Sequence, residues 1–281
     1  MPARRRPRTG KIVTGLALAT SCVTVLAVLN PFRSEAAETV VLPPVHASFD
    51  YQIGGAYEPD KGVQVVTRDV KESPAKDLYN ICYVNAFQTQ QEGDVSGPQD
   101  WDKDLLLTGK NGEPVIDPDW DEVILDISED GKRERIAQQI DKQIDQCDTK
   151  GFDAVELDNY DTYDRDVVDG ALTAQDAQAY IRLLSAHAHA KGLAVGQKNT
   201  VELAGNHKAN GLDFAVAEEC GNPKWKECGK YVSAFGDHAI FIEYTEEGLR
   251  NACAYGDRVS VVMRDMDVSE PDSEDYVRET C

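Results

Sequence analysis

The stretch K150-G-F-D-A-V-E-L-D-N-Y-D-T-Y-D164 begins as a strand should: a Gly turn, then Phe152, Ala154 and Val155. It then runs into Glu156, Asp158, Asn159 and Asp161, where a buried strand would carry Val or Ile. Side chains alternate along an extended chain, so Glu156 and Asp158 point to one side. Burying two carboxylates on one face of a core strand is costly. The cost is met where the strand end opens into a polar site, and a parallel barrel gathers such ends at one mouth.

Other short apolar runs repeat this form. They are Phe49–Ile53, Val63–Val70, Asn80–Ala86, Val123–Ile127, Ala154–Asp158, Ala194–Asn199, Phe214–Glu218, Ala239–Tyr244 and Arg258–Arg264. Helical patterns lie between several of them. K132-R-E-R-I-A-Q-Q-I-D-K-Q-I-D-Q-C147 sets Ile136, Ile140, Ile144 and Cys147 on one stripe. T173-A-Q-D176 is an acidic capping box opening a helix with Ala177, Ile181, Leu184 and Ala188 on one face, and Gly192 stops it. Alternating strands and helices predict parallel strands joined by crossovers. No Gly-rich phosphate loop follows the first strand, which disfavours a doubly wound sheet. The expected architecture is a single (β/α)8 barrel over residues 48–281. Nine candidate strands are one too many for it, so one belongs elsewhere.

The candidate strands end in polar residues with some regularity: Gln52, Asp69, Tyr83 with Asn85, Asp126, Glu156 with Asp158 and Asn159, Lys198 with Asn199, Glu218 with Glu219, and Glu243 with Tyr244. A lone acid at such a position is a helix cap or a solvated charge. A ring of them predicts an acidic pocket.

Residues 1–36 read as a signal peptide: a basic start (M1-P-A-R-R-R-P-R-T-G-K11), an apolar run from Ile12 to Leu29, and small residues before a cut after Ala36 or Ala37. A membrane anchor is the competing reading, since 18 mostly apolar residues approach the spanning limit. Residues 37–47 read as a linker. Removing Cys22 with the signal leaves Cys82, Cys147, Cys220, Cys228, Cys253 and Cys281, an even set expected to form up to three disulfides in an exported chain. Only Cys220–Cys228, around a Gly-Asn-Pro turn, is a pairing the sequence itself suggests.

The chain has 29 basic and 50 acidic residues. Residues 1–36 hold six of the basic and one of the acidic, leaving 23 and 49, a net of −26. That argues against nucleic acid and anionic membranes and favours a cationic partner. No metal centre is expected. D265-M-D-V-S-E-P-D-S-E-D275 lacks the Gly and Glu of a calcium loop, His187 and His189 are two apart on a helix, and no HExxH occurs. There is no GxSxG, and no histidine closes an apolar strand. Cofactor-free carboxylate chemistry remains, and pairs of Asp and Glu are what glycosidic bonds are cleaved by.

GFDAVELDN, GLAVGQKN, LDFAVAEEC and AIFIEY, in this order and spacing, resemble the endo-α-1,4-polygalactosaminidase family, glycoside hydrolase family 114. The family's usual forms are close to GFDGVEPDNVD, GLKN, FAVNEQC and VFHVEY. The resemblance spans residues 48–265. It implies a (β/α)8 barrel and endo-hydrolysis of α-1,4-linked galactosamine polymers, with the catalytic Asp and Glu falling on Asp158 and Glu218. Tyr51 stands for a usual Trp, Leu157 for Pro, Gln197 for Leu and Ala217 for Asn, and the segment N85-A-F-Q-T-Q-Q-E-G-D-V-S-G-P-Q-D-W101 departs from the family's loop.

Asp158 is then the expected nucleophile of a retaining mechanism and Glu218 its acid/base, with the pKa of Glu218 the higher of the two. Glu156 is expected to position Asp158 or pair with Lys198. Asp69, Tyr83, Asp126, Asn159, Asn199, Glu243 and Tyr244 are expected sugar contacts. The partner is a cationic or partly deacetylated galactosamine polysaccharide met by a secreted monomer. A barrel that binds such a polymer without cleaving it, and an acidic interaction protein with no carbohydrate role, are the alternatives.

Overall fold

The structure, a computed structural model, describes residues 40–90 and 97–281. The signal segment, Cys22 and the first three linker residues lie outside these.

Eight strands run parallel: β1 (Phe49–Gln52), β2 (Val65–Asp69), β3 (Tyr79–Asn85), β4 (Ala154–Asp158), β5 (Ala194–Lys198), β6 (Phe214–Glu218), β7 (Ala239–Glu243) and β8 (Ser260–Arg264). Each pairs with the next in chain order, giving the TIM-type barrel. The register puts Tyr51, Thr67, Ile81, Ala154 and Ala194 in one row, and Tyr83, Glu156, Gly196 and Phe214 in the row above. A ninth strand, β9 (Arg278–Thr280), runs antiparallel along the outer edge of β8. It helps seal the seam towards β1: Arg278 donates to the Phe49 carbonyl at 3.1 Å and meets Asp50 at 3.3 Å, while Arg264 of β8 meets Asp50 at 3.6 Å.

The alternation of side chains divides the core in two. The outward faces of the strands (Val84, Val155, Leu157, Val195, Phe241) pack on the surrounding helices. The inward faces (Phe49, Val65, Ile81, Phe214, Val216, Ile242, Val262) fill the lower barrel. Gly196 points into that interior, and a Cβ there would come within 2.9 Å of the Phe214 ring, so glycine lets the ring fill the barrel. Val40 and Leu42 pack against this inner cluster and Tyr79 donates to the Val41 carbonyl at 2.6 Å. The described part of the expected linker therefore lies on the barrel floor.

Helix α1 (Asp130–Lys150) precedes β4 and buries the expected Ile136, Ile140, Ile144 and Cys147 stripe, ending at Gly151 with φ of 90°. Helix α2 (Ala174–Ala190) precedes β5, and the capping box forms: Thr173 accepts from the Asp176 amide while Asp176 accepts from the Thr173 amide. A 3-10 segment, Val201–Asn210, precedes β6. Helices α3 (Cys228–Phe235) and α4 (Glu246–Ala252) precede β7 and β8. Short loops alone join β1 to β2 and β2 to β3.

Val123–Ile127 is the supernumerary strand. Glu122–Val123 pairs antiparallel with Ile116–Asp117, and Ile124 and Leu125 bridge to Gln88 and Leu106, so the segment belongs to the long excursion between β3 and α1. Its side chains are buried in the outer core. A short apolar run buried there carries the same pattern as a barrel strand.

Three disulfides join Cys82 to Cys147, Cys220 to Cys228 and Cys253 to Cys281. The first ties β3 to α1, the second closes the expected local turn, and the third fixes the C-terminus beside α4. Such pairing fits an oxidising compartment. Among the described residues no helix is long and apolar enough to cross a membrane.

Candidate active site

β4 delivers Glu156 and Asp158 to the barrel interior, and β5 brings Lys198 between them and Glu218 of β6. Glu156 is fully buried and the Lys198 side chain is 2% exposed. Lys198 Nζ donates to Glu156 Oε1 at 2.9 Å and to the Tyr51 hydroxyl at 3.0 Å, and Tyr51 in turn donates to Glu156 Oε1 at 2.9 Å. The same ammonium lies 3.5 Å from Asp158 Oδ1 and 3.3 Å from Glu218 Oε2. One lysine thus serves three carboxylates. Those two legs, 3.5 and 3.3 Å, cap the separation of the two oxygens at 6.8 Å.

Each outer carboxylate has further donors. Tyr83 donates to Asp158 Oδ2 at 2.7 Å, and the Asn159 amide donates to Asp158 Oδ1 at 2.7 Å. Asn199 donates to Glu218 Oε2 at 3.0 Å and accepts the Glu218 amide at 2.8 Å, gripping the residue at both ends. Tyr244 donates to Glu218 Oε1. Charge-assisted bonds of this kind hold a carboxylate in one orientation.

The electrostatics follow from crowding three acids around one buried cation. Burial opposes ionisation of Glu218, yet Lys198, Tyr244 and Asn199 outweigh it and hold this carboxyl below the usual range. For Glu156 burial wins over Lys198, and the charges of Asp158 and Glu218 add to it, so its carboxyl is pushed up. Burial would strip Lys198 of its proton, but the three carboxylates reverse this and keep it charged. Burial foremost raises the phenols of Tyr51, Tyr83 and Tyr244, so they stay protonated and act as donors. The depressed Glu218 contrasts with the sequence expectation of an acid holding its proton in the free protein.

The strands end sharply. Asn159, Asn199 and Glu219, each following the site residue of β4, β5 or β6, take φ of 68°, 44° and 54°. Asn tolerates this left-handed region; for Glu it stores strain of the kind that gathers at functional sites.

A cavity of about 280 Å³ opens above the network, its walls including Asp158, Lys198, Glu218, Tyr83, Tyr244 and Trp120. A second, of about 350 Å³, is lined by Asp161, Glu202, Glu227, Trp225 and Tyr231. Both are bounded by Arg165, Glu218 and Glu219, so they meet at Glu218.

Of the residues expected from the sequence, the structure brings Tyr83, Glu156, Asp158, Asn159, Lys198, Asn199, Glu218 and Tyr244 together. Asn159 reaches the cavity wall and is held by Asn85 at 2.9 Å and Arg165 at 2.7 Å. Three others lie elsewhere. Asp126 stands ahead of α1, its carboxylate taken by Ser128 and Lys132, because its strand is not part of the barrel. Asp69 ends β2 and accepts the Lys71 amide at 2.8 Å, outside the walls of either cavity. Glu243 alternates outward from the inward-facing Ile242 and Tyr244; it accepts the Gly221 amide at 2.7 Å and packs against Gly248 of α4. Sequence reasoning missed Arg165, Trp120 and Trp225, which come from loops with no strand-end signal. Among the described residues the only grouping close enough to hold a metal is Cys220, Cys228 and Glu243, and those two sulfurs are already bonded to each other.

Comparison with known proteins adds the following. The family description "Glycoside-hydrolase family GH114" matches residues 30–281. Among solved structures, Aspergillus fumigatus Ega3, determined in complex with galactosamine, superposes with a TM-score of 0.70 at 21% identity, covering 86% of this chain and 98% of that one. The glycoside hydrolase domain of PelA from Pseudomonas aeruginosa superposes with a TM-score of 0.52 at 13% identity, covering 83% and 98%. No match was found among curated proteins.

Proposed function

Because the chain belongs to glycoside hydrolase family GH114, we propose that it is an exported endo-glycosidase cleaving α-1,4-linked galactosamine polymers with Asp158 and Glu218. One observation carries this reading: carboxylates from two strands converge on Lys198 at the barrel mouth, with oxygens no more than 6.8 Å apart. Retaining glycosidases separate their carboxyls by about 5–5.5 Å and inverting ones by roughly 6.5–9.5 Å; the cap on this oxygen pair admits the retaining spacing, which is the mechanism proposed. The galactosamine bound in Ega3 supports the substrate class.

In this mechanism Asp158 attacks the anomeric carbon as the bond to the leaving oxygen breaks, and the proton on Glu218 passes to that oxygen. Glu218 then removes a proton from the water that attacks the glycosyl ester, which releases Asp158 and leaves Glu218 protonated. Tyr83 and the Asn159 amide fix the attacking carboxylate. Since Lys198, Tyr244 and Asn199 favour the ionised form of Glu218 in the free protein, this mechanism requires substrate to loosen these contacts before Glu218 can donate a proton. The three disulfides and the N-terminal apolar segment support export.

The test is incubation of the mature chain with partly deacetylated α-1,4-galactosamine polymer, with released oligosaccharides followed by anomer-resolved NMR. Asp158→Asn and Glu218→Gln should fold normally and lose at least about 10²–10⁴-fold in turnover, the scale of general acid–base assistance. Either variant turning over at the parent rate defeats the assignment, and an inverted product defeats the retaining step. Binding of the polymer without cleavage by the parent would identify a carbohydrate-binding barrel instead.

A further inference from the structure

The two cavities differ in their walls, and the difference gives the site a direction. Asp158 borders only the first, together with Tyr83, Lys198 and Trp120. Glu218 borders both. In a two-carboxylate displacement the nucleophile lies beneath the sugar it attacks, and the acid stands at the bond between that sugar and the next. Building on the glycosidase reading above, we infer that the second cavity is the leaving-group subsite and takes the galactosamine unit on the reducing-end side of the scissile bond, as the free ammonium form.

Three features of this cavity support its occupant. It is continuous with the first along Glu218, Glu219 and Arg165, so a sugar linked through the scissile oxygen passes directly into it. Trp225 and Tyr231 contribute its aromatic walls, and the Trp225 ring, in a residue 47% exposed, already carries a cation, Lys224 Nζ, 4.0 Å from its centroid. A substrate ammonium takes this position by displacing the flexible Lys224 side chain. The charged walls comprise six carboxylates (Asp161, Asp164, Glu202, Glu218, Glu219, Glu227) and the guanidinium of Arg165, and even with Lys198 behind Glu218, Lys230 beside Glu227 and Lys224 on the Trp225 ring the acids remain in excess. That guanidinium is itself engaged by Asp117, Asn159 and Asp161. An N-acetylated unit would bring no charge to answer this excess, whereas a free amine does. The preference for deacetylated polymer then resides on the leaving-group side of the bond.

Two substrates distinguish this from a general effect on the fold. The polymer must fill both cavities, whereas α-galactosaminyl fluoride needs only the first, because its leaving group is a single atom that reaches no further than the scissile bond. The parent, Trp225→Ala, Trp225→Phe and Glu202→Gln are assayed for kcat/KM on both. The expected result is a loss of about tenfold on the polymer for Trp225→Ala and several-fold for Glu202→Gln. That is the scale of one cation–π contact or one partly screened ion pair. The loss on the fluoride should be at least fivefold smaller, Trp225→Phe should recover part of the polymer loss, and the parent's preference for deacetylated over acetylated polymer should shrink in Glu202→Gln. Equal losses on both substrates, no loss on either, or a larger loss on the fluoride would overturn the inference while leaving the glycosidase reading intact. A parent inactive on both substrates defeats that reading and this one with it.

Discussion

Replacing Lys198 with Met removes the one cation on which Glu156, Asp158 and Glu218 converge, at distances of 2.9, 3.5 and 3.3 Å. At a 4 Å separation and an effective dielectric of about 20, each such contact is worth up to about 4 kcal/mol before desolvation is counted. Lys198 and Glu156 are almost wholly buried, so salt does little to screen the central pair. Desolvation of the lysine offsets much of the total. Breaking a buried pair by removing one partner costs about 3–5 kcal/mol, because the other charge is left uncompensated.

The pH dependence tests the origin of that cost. In the parent, Glu218 is held below its ordinary value, so it contributes stability that is present above that value and lost as pH falls through the depressed one. In Lys198→Met, the main opponent of burial at Glu156 is gone, so its already raised carboxyl is pushed further above its value in the unfolded chain, while Glu218 keeps only Tyr244 and Asn199 to favour its ionised form. The native variant then binds more protons than its unfolded form, and its stability falls as pH rises from the ordinary carboxylate range. The gap between parent and variant should therefore be small near pH 4 and widen to about 3–5 kcal/mol at pH 7. Denaturant unfolding at pH steps from 4 to 8 measures it, and adding Glu156→Gln to Lys198→Met should recover a large part of the loss at pH 7. A gap independent of pH, or below 1 kcal/mol throughout, would refute the hub, and strictly additive single substitutions would refute the Glu156–Lys198 coupling.

Two further outcomes follow from groups outside the cavity. Burial pushes Glu243 up to about 7, with the Gly221 amide pulling the other way, so the native state holds a proton the unfolded chain has lost between about pH 4.5 and 7, and stability falls across that window. Glu243→Gln should abolish that slope and gain at most about 3 kcal/mol at pH 7, nearer half that after solvent screening, as read from Tm against pH; an unchanged slope would show the assignment wrong. The mature chain should give no free thiol when titrated unfolded and unreduced, since Cys82, Cys147, Cys220, Cys228, Cys253 and Cys281 are all paired; two or more reactive groups would contradict this pairing.

The barrel was legible because seven of its strands end alike: an apolar run, then residues that a buried strand excludes. Glu156 and Asp158 two apart already placed both carboxylates on one face, and the β4–β5 register then sets Lys198 within reach of both. The same pattern misled at Val123–Ile127, where apolar side chains are buried against the outer core and the polar residue after them, Asp126, meets Ser128 and Lys132. It misled again at Glu243, where alternation turns the carboxylate away from the mouth. Local sequence sets the parity of a strand's side chains, but which parity faces inward depends on the barrel's register, which no single strand contains. Cavity walls such as Trp120, Arg165 and Trp225 come from connecting segments whose positions depend on tertiary packing, so no local period announces them.

The strand ends themselves held a signal. Asp158-Asn159 and Lys198-Asn199 each set beside a charged site residue one of the few side chains that tolerates a positive φ, and the structure uses both that way, at 68° and 44°. The turn lets each strand stop with its charged side chain inside the barrel while the chain leaves the sheet at once. Asn199 then uses the freed side chain to grip Glu218 of the next strand at its amide and its carboxylate. On β6 the corresponding position is Glu219, which reaches 54° without the advantage of Asn. Its backbone strain, of order 1–3 kcal/mol, is retained at the one point where the two cavities meet, with Glu218 and Glu219 both in the shared wall. Strain kept at that junction fits a chain whose local preferences yield to the placement of a single carboxylate between two cavities.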